Sequence, residues 1–387
     1  MTAAGTTSTG QPRYQLDVFR AVAALSVAMF HAYQFNRREQ WPLEGTFWHD
    51  VILATDLFVA MFFLLSGFLL GLPIMRASLG AGPLRPSKAF LIKRFARLVP
   101  TYYIVVLLVW SLTNVELPGH WQDLVLHLTF TQVYSDEYIF WTNGPAWSLA
   151  NEMHYYLLLA VLAGPAHALC ARLATRRARI GVLVGGVAAL VAVSVGYKLV
   201  AWLVWQRPQE SWSTWFGPLA KLDVFALGML VAIGAAAGVR VNGRWVRLGV
   251  AVAGAGGVVV LGESSPRPFQ HTVLAIGAGM IIAAAVITDG PVPRLLSWRP
   301  LVAVGLSSYS IYLWHEPLLR FRSHVGLDPF AGTAAGFVCT TVLLMIVVIP
   351  VGQFSYRFIE RTGMKLAAAF DARGRPREYY PEVTVRG

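Results

Sequence analysis

LDVFRAVAALSVAMFH, residues 16–31, is the stretch on which the fold turns. It is apolar enough to belong to a membrane span, yet it carries Arg20 and His31. An ionisable side chain in hydrocarbon is costly, so each marks a partner or a function. The two stand eleven positions apart. At 3.6 residues per turn that is close to three turns, so a helix puts both on one face, about 16 Å apart along its axis.

Runs of the same character recur down the chain. Of its 387 residues 56% are apolar and 13% charged. Windows of about 20 residues rich in Leu, Val, Ala, Phe and Trp have the length that crosses a hydrocarbon core of about 30 Å. Because the bilayer core cannot satisfy open backbone groups, these windows are expected to be helices. The pattern predicts an all-α, polytopic transmembrane helical bundle of about ten spans, near 16–36, 51–75, 98–114, 143–163, 179–200, 214–237, 245–262, 271–289, 300–320 and 330–355. HLTFTQVY at 127–134 is too short to span and reads as a re-entrant or interfacial segment.

Charge alternates between the connecting segments. Arg76, Arg85, Lys88, Lys93, Arg94 and Arg97 gather on one side, and Glu116, Asp123, Asp136 and Glu137 on the next. The positive-inside bias then puts both termini in the cytoplasm. It also accounts for the formal net charge of +12 without a separate basic domain, so nucleic acid is not an expected partner. The lipid bilayer is. Residues 1–12 carry no signal-peptide pattern. The expected layout is a cytoplasmic N-terminal tail (1–15), one membrane domain (16–360) and a basic cytoplasmic tail (361–387) without regular structure. Cys170 and Cys339 form no CxxC or Cys/His cluster, so neither a disulfide, a metal site nor a bound cofactor is expected. The Ala-, Gly- and Arg-rich composition points to a GC-rich bacterial genome. No internal repeat is visible, which disfavours a transporter built from repeats.

The ionisable residues within spans are Arg20, His31, Asp56, Glu152, His154, Lys221, Asp223, His315 and Glu316. Counting 1.5 Å per residue from the expected span ends puts His31 and His315 about 22 Å from the inner boundary, and Asp56 and Glu152 about 7 and 13 Å below the outer one. His31, Asp56, Glu152 and His315 are thus expected in one slab in the outer half of the membrane. Lys221 and Asp223 read instead as a structural ion pair or as snorkelling side chains.

Six motifs, in order, carry a resemblance: LDVFRAVAALSVAMFH (16–31), MFFLLSGFLL (61–70), KRFARLVPTYY (93–103), WSLANEMHYY (147–156), SSYSIYLWHEPLL (307–319) and SYRFIE (355–360). Together they make the chain resemble the acyltransferase 3 family of membrane O-acyltransferases, whose hallmark is an Arg followed by a His on the first span. The resemblance implies a multi-pass enzyme of the bacterial cytoplasmic (inner) membrane. Such an enzyme moves an acetyl or other short acyl group from acyl-CoA, a co-substrate, to a hydroxyl of a cell-envelope saccharide or a natural product such as a macrolide. A proton-coupled secondary transporter is the competing class, because buried carboxylates and histidines also make proton relays.

An alcohol needs a base to become a nucleophile, and a thioester carbonyl needs polarising. His31 is the expected base, with Glu152 fixing its tautomer and Asp56 and His315 completing the catalytic set. Arg20, Lys93, Arg94 and Arg97 are the expected partners of the donor's phosphates. Ser66, Trp147, Ser148 and Tyr309 lie in matched motifs as support, and Tyr312 lies there too; the aromatic and hydroxyl side chains among them read as interface or packing groups before chemistry, and Ser66 and Gly67 suit a close helix approach. Direct transfer in a ternary complex is the simplest route, and an acyl-His or acyl-Ser66 intermediate stays open.

Overall fold

The computed structural model describes residues 14–116, 118–240, 243–264, 266–287, 294–327 and 330–372. Among these residues every regular element is helical. In chain order the helices are α1 (Tyr14–Phe35), α2 (Phe47–Ala54), α3 (Val59–Ser78), α4 (Ser87–Thr113), α5 (Trp121–Leu128), α6 (Ala146–Ala171), α7 (Arg176–Leu199), α8 (Trp212–Phe216), α9 (Pro218–Ala237), α10 (Arg244–Ser264), α11 (Gln270–Val286), α12 (Arg299–Leu306), α13 (Ser308–His324), α14 (Ala334–Ser355) and α15 (Arg361–Ala372). Among the described residues eight helical stretches are long and apolar enough to cross a membrane. The other two expected spans fall on α10 and on α12 with α13.

Helices α3 and α9 form the centre, with 61% of each apolar window buried, whereas α7 at 17% turns an apolar surface outwards. That is the arrangement lipid permits, because an outward-facing Leu or Val there loses nothing to water. The central crossing depends on two glycines. A Cβ on Gly67 would collide with the carbonyl oxygen of Phe225, and one on Gly228 with that of Leu64. Each glycine thus admits the other helix's backbone, as small residues do in membrane bundles. At the bundle's other side Gly305 on α12 admits the carbonyl of Asp17 on α1.

Several elements depart from the expectations. Helix α4 begins at Ser87, well before the expected 98. Its first turns carry Lys88, Lys93, Arg94 and Arg97, which lower hydropathy but leave helix propensity intact. Asp56 lies on a 3₁₀ turn, Thr55–Phe58, between α2 and α3. The 300–320 span is broken at Ser307 into α12 and α13. The 120–145 segment folds into the bundle, with Asp123, His127, Gln132, Asn143 and Ile139 all fully buried. The expected unstructured tail is helical as far as Ala372, and Gly363 of α15 abuts the Ala96 carbonyl of α4. Residues 1–13 and 373–387 of the expected tails lie outside the described residues.

Pro317 supplies a local rule with a distant consequence. Inside α13 it has no N–H to give to the carbonyl four residues back, that of Leu313. The Asn143 side-chain amide donates to that orphan at 3.0 Å. The neighbouring Gly144 N–H donates to Glu316 at 2.5 Å. Arg320 pairs with Glu316 at 2.7 Å and donates to the carbonyls of Trp141 at 2.7 Å and Phe140 at 3.1 Å. The loop ahead of α6 is thereby stitched to one face of α13.

Candidate functional site

Two cavities meet in the middle of the bundle. The first is lined by Arg20 from α1, Ser66 from α3, Arg94 and Arg97 from α4, Ser148, Glu152 and Tyr156 from α6, and Tyr309 and Tyr312 from α13. Arg94 and Arg97, three residues apart on α4, share the helix face that looks into it. Three guanidinium groups therefore face one carboxylate. Glu152 is held in place by Ser66, whose hydroxyl donates at 2.5 Å, and by Tyr156, which donates at 2.8 Å. Tyr309 donates to the Leu98 carbonyl at 2.7 Å, across from α13 to α4. The cavity continues past Leu69, Leu70 and Arg94 into a groove of about 100 Å³ walled by Pro73, Arg85, Ser87 and Phe90.

Arg97 also sits 3.7 Å from the buried carboxylate of Glu360. Ser310 of α13 donates to the same carboxylate. A buried carboxylate beside a guanidinium fixes that side chain, and removing it leaves a cation uncompensated. Glu360→Ala is expected to destabilise the protein by about 2 kcal/mol, a value reduced from the fully buried case because Arg97 is partly exposed. Thermal unfolding in detergent measures the effect.

The second cavity, about 400 Å³, is lined by His31, Gln34 and Val27 of α1, Asp56, Trp147, Trp212, Phe216, Tyr312, Glu316 and Arg320. Its chemistry centres on two rings. His315 is fully buried, and its Nδ1 lies 2.5 Å from the Tyr312 carbonyl. A carbonyl only accepts, so this nitrogen carries the proton and the Nε2 of neutral His315 carries a lone pair. That Nε2 lies 3.2 Å from His31 Nδ1, which is also 2.9 Å from the Val27 carbonyl. His31 Nδ1 must therefore be the protonated nitrogen, shared between two acceptors. In the neutral ring this arrangement makes His31 Nε2 the lone-pair nitrogen, the one a general base uses.

The expected residues thus divide between the cavities. His31, His315, Asp56 and Trp147 attend the second; Arg20, Arg94, Arg97, Ser66, Ser148, Tyr309 and Glu152 attend the first. The expectation that Glu152 stands beside His31 is corrected. Helix α6 starts inside the bundle, with Ala146 fully buried, so counting depth from the outer boundary places Glu152 too high. Its partner Ser66 lies ten residues beyond Asp56, about 15 Å further along the helix. The partner that fixes the His31 tautomer is His315. Lys93 does not line the first cavity, being turned about 100° from Arg94.

Lys221 and Asp223 do not pair with each other, because residues two apart on a helix point to different sides. Asp223 takes Lys198 of α7 at 2.6 Å and accepts from Thr272 at 2.6 Å and Ser194 at 3.1 Å. Lys221 lies 3.0 Å from His271 Nδ1 and stacks over Phe216. His154 bonds the Ala150 carbonyl of its own helix at 2.7 Å. Sequence reasoning placed Tyr312 in a matched motif but read it as packing, whereas it lines both cavities, and it noted Glu316 without its clamp. The Glu316/Arg320 spacing of four on α13 was a usable signal for the latter.

The profile of the Acyl_transf_3 family, described as "Acyltransferase domain", matches residues 13–353. "Putative membrane-bound transacylase BcsY" of Komagataeibacter xylinus is 27% identical over 91% of this chain and 83% of its own length. "O-acetyltransferase OatA" of Staphylococcus aureus is 24% identical over 90% of this chain and 57% of its own length, so the chain spans little more than half of that relative. No solved structure matches the chain.

Proposed function

Because this chain belongs to the acyltransferase 3 family, we propose that it is an acyl-CoA-dependent membrane O-acyltransferase that moves an acetyl or other short acyl group to a hydroxyl acceptor. The observation that carries the reading is the pairing of two unlike cavities in one bundle: a guanidinium-lined one and one holding a histidine whose Nδ1 is engaged by His315 and the Val27 carbonyl. The acetyl group is suggested by the name of the staphylococcal relative. The acceptor is a saccharide or a natural product that enters the second cavity. Its aromatic and polar walls suit either.

The donor's pyrophosphate and 3′-phosphate are held by Arg20, Arg94 and Arg97, which offer charge-assisted and bidentate hydrogen bonds. The pantetheine arm carries the thioester toward Tyr312. His31 Nε2 takes the proton of the acceptor hydroxyl as its oxygen attacks the thioester carbon. The C–O bond forms, the C–S bond breaks, and the imidazolium returns the proton to the thiolate. His315 accepts from His31 Nδ1 throughout, and Asp56 places a carboxylate in the cavity where the imidazolium charge appears. The positive-inside orientation puts the donor cavity on the cytoplasmic side, with both termini there.

Purified protein incubated with labelled acetyl-CoA and a panel of hydroxyl acceptors tests the reading. Labelled ester together with release of CoA thiol supports it. Solute movement in liposomes with no CoA consumption would favour a transporter instead. Arg20→Ala is expected to raise the acetyl-CoA KM about tenfold, equivalent to about 1.4 kcal/mol of lost binding. Steady-state kinetics at saturating acceptor measures this, and an unchanged donor KM rejects the role of Arg20.

A further inference from the structure

Tyr312 is the one residue that lines both the first and the second cavity among the described residues. Its ring lies 5.3 Å from Phe62, a wall of the first cavity, and 5.6 Å from His315, which holds His31 in the second. The ring therefore stands on the boundary between the guanidinium side and His31. Its hydroxyl is not fully engaged. It accepts from Ser148 at 2.9 Å, but its own proton has only the Pro145 carbonyl, at 3.2 Å, against a usual 2.7–2.8 Å for such bonds, roughly. That same carbonyl lies 3.1 Å from the Ser148 hydroxyl, whose single proton is shared between it and the nearer Tyr312 oxygen.

From this geometry we propose that Tyr312 is a catalytic residue, its hydroxyl donating to the thioester carbonyl oxygen as negative charge develops there. The proposal rests on the acyl-transfer reading above and deepens it. During attack the carbonyl electrons move onto oxygen and are stabilised by the Tyr312 O–H. They return as the C–S bond breaks and the thiolate takes the proton held by His31. Tyr312 gives up no proton and is unchanged at the end of the cycle. Ser148, donating to the Tyr312 oxygen, strengthens the Tyr312 O–H as a donor and fixes the ring's height in the wall. A fixed donor aimed at the site of developing charge acts on the transition state more than on the bound thioester. Its loss therefore appears in kcat.

The test is Tyr312→Phe, which keeps the ring, the Phe62 and His315 contacts and the wall itself. With labelled acetyl-CoA and the acceptor used by the wild type, kcat is expected to fall about 10²-fold. The affinity for a non-hydrolysable acetyl-CoA thioether, measured by calorimetry, is expected to stay within about twofold of the wild type. Ser148→Ala should give a smaller fall in kcat, again without loss of thioether affinity. Unchanged kcat in Tyr312→Phe overturns the assignment. So does a loss of thioether affinity equal to the loss of rate, which makes Tyr312 a donor-binding contact. If the wild type itself acylates no hydroxyl acceptor, the underlying reading fails and this proposal with it. That outcome is seen without any variant.

Discussion

Substituting His31 with alanine is expected to stop acyl transfer while leaving a folded, donor-binding protein. The ring's removal takes away a base whose tautomer is set by a chain of hydrogen bonds: His315 Nδ1 to the Tyr312 carbonyl, then His31 Nδ1 to His315 Nε2, which leaves His31 Nε2 for the acceptor hydroxyl. Loss of a general base costs about 10²–10⁴-fold in rate. Here the upper part of that range, about 10³-fold or more, is expected, because the same ring also receives the proton for the thiolate. The partly buried ring leaves a modest void, and the fully buried His315 keeps its carbonyl partner. Wild-type acetyl-CoA thioether affinity and thermal stability alongside lost turnover support the assignment. Full turnover in a well-folded His31→Ala protein rejects it.

The second large effect concerns folding. Gly228→Val is expected to prevent assembly of the bundle, because its Cβ would enter the carbonyl oxygen of Leu64 on a backbone packed from both sides. Side chains can rotate out of an overlap; a helix carbonyl cannot. Inserting bulk into a packed core costs about 1–3 kcal/mol, and the backbone collision puts this site at or above about 3 kcal/mol. The α3–α9 crossing would have to open, and with it the wall that carries Ser66 into the first cavity. Little monodisperse protein should be recovered from detergent. Gly67→Val, which meets the Phe225 carbonyl, should behave alike. Recovery of active protein from either variant would show that the crossing can slide apart at low cost.

The all-helical, multi-pass architecture was legible because bilayer thickness constrains length and composition together, and most helices fall on the apolar windows. Gly67 was legible as a close-approach position, though its partner Gly228 was not, since nothing local names the helix that faces it. The first turns of α4 were missed because charge lowers hydropathy without breaking a helix. The start of α4 matters chemically: the residues that seemed to lie in a loop form the helical face that presents Arg94 and Arg97 to the cavity.

Within the site, Arg20 and His31 on a single face were readable from spacing alone. That they serve different cavities was approached through depth, and the same arithmetic misplaced Glu152, because a loop that folds inwards moves the start of α6 away from the boundary. The His31–His315 contact joins residues 284 positions apart and is a product of packing. Tyr312 was read as packing for the opposite reason: an aromatic in an apolar helix resembles ordinary packing until two cavities are found to share it. Lys198, the real partner of Asp223, sits on another helix, whereas the nearer Lys221 faces elsewhere.

The partition at Tyr312 has a meaning for the cell beyond the reaction. Polar hollows that border one and the same ring must not join, because a continuous file of water would carry protons across any membrane that stores a gradient. The Tyr312 ring, shared by both linings, is placed where such a file would have to be broken.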